Sequence, residues 1–191
     1  MRILGVDPGS VVMGYAIIDV PDSGNTVNFV AMDVLRLNKI PDQANKLKVI
    51  LEEMNYIIVS FRPDVFAIEA PFQGKNPQSM LKLGRAQGVA MAVAMLNNLP
   101  VFEYSPRTVK QTVTGTGAAS KETVARFLHN ITRQDFSQPK YLDATDALAV
   151  AVCHQIQSKP NRIEIHSQKK TKKSASWSDF VKNNQDKIVT L

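Results

Sequence analysis

Residues 142–152 read LDATDALAVAV, a run of leucine, alanine and valine broken by Thr145 and by two acids, Asp143 and Asp146. The composition is that of a helix packed into a core, where an unpaired carboxylate is expensive to bury. Residues three apart on a helix sit about 60° apart around the axis and about 4.5 Å along it, so the two acids share a face. Ala147 and Val150 continue that face with nothing larger than valine. A helix so built, expected over about 142–157, can press closely against the edge of a sheet.

The rest of the chain supplies such a sheet. ILGV (3–6) runs into the turn Asp7-Pro8-Gly9-Ser10, GYAIIDV (14–20) reads as a second strand, and VNFVAMDVLRL (27–37) as a third. From Gln43 to Phe61, Leu47, Ile50, Leu51, Met54, Ile57 and Ile58 recur at helical spacing. DVFAIE (64–69) follows Pro63 as a strand, a long helix is expected over Gln78–Asn97, and VFEY (101–104) reads as a buried strand. Thr108–Val113 forms a short helix before the glycine-bearing TGTG, and Val124, Phe127, Leu128 and Ile131 mark another that Ser120 can cap. Three strands followed by alternating helices and strands predict an α/β fold with a mixed five-stranded sheet flanked by helices. The first strand and the DVFAIE strand can then lie side by side and parallel.

Charge and cysteine content bound the rest. The formal net charge is +6, but from Gln157 onward eight Lys or Arg face three Asp or Glu, leaving +1 for the preceding 156 residues. We therefore divide the chain into a globular domain, 1–157, and a basic, flexible tail, 158–191, in which WSDF (177–180) is a candidate docking segment. Such tails bind nucleic acid nonspecifically or simply solubilise. The single cysteine, Cys153, excludes an internal disulfide and reads as a small core residue. The longest clear apolar run, Gly88–Leu96, is well short of the roughly 20 residues a membrane span needs. MRILGVDPGS has an acid where a secretory signal would be apolar. The expectation is a cytoplasmic protein without membrane partners.

Both parallel strands end in an acid, Val6 into Asp7 and Ile68 into Glu69. Neighbouring strands lie about 4.8 Å apart, so these carboxylates emerge together at the C-terminal edge, where open α/β sheets bind ligands. Read singly, Asp7-Pro8-Gly9 is an ordinary turn, Glu69 a strand end, and Asp143 and Asp146 acids favoured at a helix N-terminus. Read jointly, four converging carboxylates repel one another unless cations join them. An all-oxygen donor set points to Mg²⁺, with Mn²⁺ able to substitute, rather than to zinc. Two such ions per site are the usual device for in-line displacement at a phosphodiester.

At these residues the chain resembles the RuvC family of bacterial Holliday-junction resolvases, crossover junction endodeoxyribonucleases with a ribonuclease H-like fold. GVDPGSVVMGYAII, AIEAPFQGKNPQSMLKLGRAQGVA, VFEYSPRTVKQTVTGTGAASKETV and DATDALAVAVCH match in family order and span nearly all of residues 1–156. The resemblance implies that Asp7, Glu69, Asp143 and Asp146 form the metal-binding catalytic quartet. It implies a homodimer that nicks two strands of like polarity in four-way junction DNA, leaving ligatable 5′-phosphate ends, and that works with the RuvA–RuvB branch-migration complex. By position, Phe72 resembles the aromatic that stacks on an unpaired base at the crossover. Lys110 and Lys121 match lysines that hold DNA near the scissile phosphate, Lys121 counting with the catalytic set. Lys75, Asn76, Lys82 and Arg107 are further phosphate-contact candidates. LGRAQGVAMAVAM (83–95) matches a helix of the family's dimer interface, although burial in a core explains its small residues equally well. His154 lies on the aspartate face and is either a group behind the acids or a packed structural histidine. Two other readings are a nucleotide-binding protein of the actin–sugar kinase–Hsp70 group and an inactive nucleic-acid-binding module of the same fold.

Overall fold

The computed structural model describes residues 1–22, 26–71, 76–134, 136 and 142–158. In chain order the elements are β1 (Arg2–Asp7), β2 (Val12–Asp19), β3 (Asn28–Arg36), α1 (Gln43–Phe61), β4 (Val65–Glu69), α2 (Pro77–Leu96), β5 (Val101–Tyr104), α3 (Pro106–Thr114), α4 (Lys121–Thr132) and α5 (Leu142–Gln157). The described residues belong to one compact unit, Met1–Pro160. Of the tail expected from residue 158, all but Ser158 lies outside the described residues. No helix among the described residues is long and apolar enough to cross a membrane.

The five strands form one mixed sheet in the order β3-β2-β1-β4-β5. β1 pairs antiparallel with β2 and parallel with β4, and β4 pairs parallel with β5. Strand side chains alternate between the two faces of a sheet. Leu4, Val6, Phe66 and Ile68 therefore join α1 and α2 in one core layer. Ile3, Val65 and Ala67 join α3, α4 and α5 in the other. The same alternation carries the next odd-numbered residues, Asp7 and Glu69, to the α5 face of the sheet.

Helix α5 is buried along almost its whole length, from Ala144 to Gln155. It comes so near because Gly5 of β1 offers no side chain beneath it. A Cβ on Gly5 would meet the Ala147 carbonyl oxygen at 2.3 Å and the Ala151 Cβ at 2.8 Å. Small residues on both partners bring helix and strand into backbone contact, which delivers the start of α5 to the end of β1.

Two local expectations are corrected. Helix α3 begins at Pro106, two residues before the expected Thr108, because Ser105 caps it by accepting from the Thr108 N–H and proline occupies its first turn. Strand β5, expected to be buried, is a sheet edge, and Phe102 and Glu103 on it are exposed. The cap expected at Ser120 is present, its hydroxyl accepting from the Thr123 N–H.

Candidate active site

Three parallel strands, β1, β4 and β5, end on the same side of the sheet. The β1–β4 register pairs Val6 with Ile68, and the β4–β5 register pairs Glu69 with Tyr104. The Ala70 N–H donates to the Tyr104 carbonyl at 2.8 Å and holds the end of β4 in place. Above this edge lies a cavity of about 600 Å³ lined by Asp7, Glu69 and Asp146, by the cations Arg107, Lys110 and Lys121, and by Ser105, Pro106 and Gly117. Three of the four expected acids and three of the expected DNA-contacting cations thus share one cavity.

Electrostatics single out Glu69. Burial is the largest influence on its carboxyl, and the neighbouring charges of Asp7 and Asp146 add to it. Together they push its pKa from 4.5 up to about 8, against the opposing pull of Lys121 and Lys110. Lys121 Nζ meets Asp146 Oδ2 at 2.5 Å, the lysine side chain 61% exposed and the aspartate 21%. The cleft thus sets the Lys121 ammonium against Asp146, with Asp7, Glu69, Arg107 and Lys110 lining the same cavity. Asp7, Glu69 and Asp146 offer only oxygen donors, a set that fits Mg²⁺ or Mn²⁺. Among the described residues no three His, Cys, Asp or Glu side chains are already closed into a ligand cluster. Asp143 occupies the second position of α5, and its side chain lies outside what the structure describes.

The remaining candidates distribute as follows. Phe72 and Lys75 lie outside the described residues. Asn76 is the N-cap of α2, its side-chain oxygen accepting from the Gln78 and Ser79 N–H groups. Lys82 is exposed on the same helix, and neither Asn76 nor Lys82 lines the cavity. His154 is a packed residue: buried, 4.6 Å from the Phe102 ring centre, and bonded through Nδ1 to the Tyr104 hydroxyl at 2.8 Å. Burial lowers its pKa, so it is neutral at pH 7. Cys153 is fully buried and its thiol pKa is raised by that burial, the condition of an unreactive core cysteine. The sequence reading missed Ser105, Pro106 and Gly117 in the cavity wall. The Ser-Pro pair is a helix-start signal that marks the first two, whereas Gly117 is placed by backbone packing that no local motif announces.

Comparison with known proteins agrees with this arrangement. Residues 3–154 match the family described as Crossover junction endodeoxyribonuclease RuvC. A relative of that name from Cytophaga hutchinsonii is 49% identical, covering 99% of this chain and 88% of its own. Another from Porphyromonas gingivalis is 48% identical, covering 97% and 96%. A solved structure described as T. thermophilus RuvC in complex with Holliday junction substrate superposes with a TM-score of 0.75 at 26% identity, over 82% of this chain and 94% of that one. A match of this extent decides against the actin–sugar kinase–Hsp70 reading. The chain belongs to the RuvC family of crossover junction endodeoxyribonucleases.

Proposed function

We propose that this protein is a structure-selective DNA endonuclease that resolves four-way junctions by nicking two strands of like polarity and leaving ligatable 5′-phosphate ends. The observation that carries the reading is the cavity in which Asp7, Glu69 and Asp146 face Arg107, Lys110 and Lys121. Acids and bases in one cleft suit a phosphodiester: the cations draw the DNA backbone in, and the acids stand ready for metal. Asp7, Glu69 and Asp146, with Asp143 from the first turn of α5, would hold two Mg²⁺ ions, for which Mn²⁺ can substitute. When bound, such ions supply activation of a water nucleophile and stabilisation of the leaving oxygen.

The chain's own groups complete the site. Lys121, paired with Asp146 here, would meet a phosphate oxygen near the bond to be cut. Arg107 and Lys110, on successive turns of α3, contact the flanking backbone, and fixed phosphate contacts set register rather than sequence. Glu69 would serve as a metal ligand in its deprotonated form. Phe72, Lys75, Asn76 and Lys82 belong to the same reading as contacts further along the junction arms.

Symmetric nicking needs two sites, and we propose a homodimer. The exposed side of α2 supports it: Leu81 is 61% exposed, and a shallow apolar groove runs over Pro77, Met80, Leu81, Gly84 and Arg85. A Cβ on Gly84 or Gly88 would meet nothing within 4 Å, so a second helix can approach closely there. Residues 1–157 form the nuclease domain and 158–191 a basic tail adding salt-dependent DNA affinity. Family membership supports RuvA–RuvB as partner and the cytoplasm as location.

The test is incubation of the full chain with a labelled four-way junction or a linear duplex of the same sequence, in Mg²⁺ or EDTA. Paired, ligatable nicks in the junction alone, abolished by EDTA, are expected. Junction binding without cleavage across varied crossover sequences and both metals would leave only the inactive binding module.

A further inference from the structure

The loop between α3 and α4 joins the two helices that carry Arg107, Lys110 and Lys121. It is closed by a residue that does not line the cavity. Gln111 uses both ends of its carboxamide: Nε2 donates to the Gly115 carbonyl at 2.6 Å, and Oε1 accepts from the Gly117 N–H at 3.0 Å. A carboxamide is a side chain that offers donor and acceptor side by side, and here each meets its complement. Gly115 is the α3 C-cap with φ of 83°, its N–H donating to the Gln111 carbonyl at 2.9 Å. Gly117 then lies flat against Arg107. A Cβ on Gly117 would come within 2.7 Å of the Arg107 Cγ and 3.3 Å of its Nε. Arg107 and Gly117 both face the acids across the cavity. A continuous chain of touching groups therefore runs from the Gln111 amide through the Gly117 backbone to the stem of a guanidinium in the site.

We propose that Gln111 is a positioning residue for phosphodiester cleavage, holding Gly117 against Arg107 so that the guanidinium meets the backbone phosphate in register with the carboxylates. The inference rests on reading the cavity as the nuclease site. Gln111 itself is exposed and touches no acid of the cavity, so its effect on the reaction passes through Arg107. A role confined to loop stability would act regardless of what stands at position 107.

A double-mutant cycle separates the two. Single-turnover cleavage of a four-way junction in Mg²⁺ would be measured for the full-length wild type, Gln111→Met, Arg107→Gln and the double variant. Junction affinity in EDTA and thermal midpoint would be read beside it. Gln111→Met is expected to slow cleavage about tenfold, as small misplacements of a site group do. Affinity should stay within about threefold and the midpoint within a few degrees. On the Arg107→Gln background the same change should cost less than about twofold. An equal loss on both backgrounds, or no loss on either, overturns the proposal. Should Gln111→Met unfold, Gly117→Ala supplies the second test, because it crowds Arg107 with Gln111 intact. The same slowing and the same dependence on Arg107 are expected, and an unchanged rate overturns the proposal. A wild type that cleaves no junction defeats the nuclease reading itself, an outcome distinct from a normal rate in the variants.

Discussion

Glu69 keeps its proton to about pH 8 because it is buried beside Asp7 and Asp146, and this has a consequence in solution. A carboxyl whose folded-state pKa is raised binds its proton more tightly in the folded than in the unfolded chain. Its contribution to stability is therefore full below about pH 4.5 and is lost as the pH rises to about 8. A divalent ion, when bound, would take the proton's place. We predict that in EDTA the thermal midpoint contains a component that falls across this window. The stabilisation gained by adding Mg²⁺ should grow over the same range. Glu69→Gln, which cannot ionise, should flatten the EDTA profile, and melting curves from pH 5 to 9 with and without Mg²⁺ check this. A profile identical in wild type and Glu69→Gln would place the carboxyl outside the cluster.

Among the elements, the packing of β1 on α5 decides whether the acids meet at all. Gly5→Ala puts a methyl group 2.3 Å from the Ala147 carbonyl, so helix and strand must separate. Overpacking of this kind costs about 1–3 kcal/mol. Because Asp146 precedes Ala147, the same shift carries it away from Asp7. We predict a lower urea midpoint together with a cleavage loss that persists well below that midpoint, at temperatures where the variant is fully folded. Much at this scale was legible in the sequence. Val6 running into Asp7 and Ile68 into Glu69 put both acids at one sheet edge, and the small residues on the acid face of α5 announced close packing. What was not legible depends on neighbours distant in sequence. The need for glycine at position 5 comes from a helix about 140 residues later in the chain. The exposure of β5 comes from its place at the sheet edge, and the Gln111 clamp from the meeting of two helix ends. Short-range pattern carries none of these.

At the scale of the whole molecule, we propose that residues 1–157 carry the chemistry and that 158–191 add DNA affinity. A chain ending at Pro160, the boundary of the compact unit, should melt within a few degrees of the full chain. Its junction affinity should depend less steeply on salt, by roughly one unit of slope for each phosphate that the tail neutralises in the full chain. Leu81→Glu places a charge in the apolar groove of α2 and should weaken self-association about tenfold or more, measured by sedimentation. Nicks should then appear singly instead of in pairs. An unchanged sedimentation profile would move the interface elsewhere. The central claim is that the carboxylates at the sheet edge perform the cleavage. Single-turnover junction cleavage by Asp146→Asn, with binding measured in parallel, tests it most directly. The expected result is a loss of about a thousandfold in rate with junction binding retained, because the substitution removes a ligand charge and leaves the cations in place. Cleavage by Asp146→Asn at close to the wild-type rate would contradict the claim.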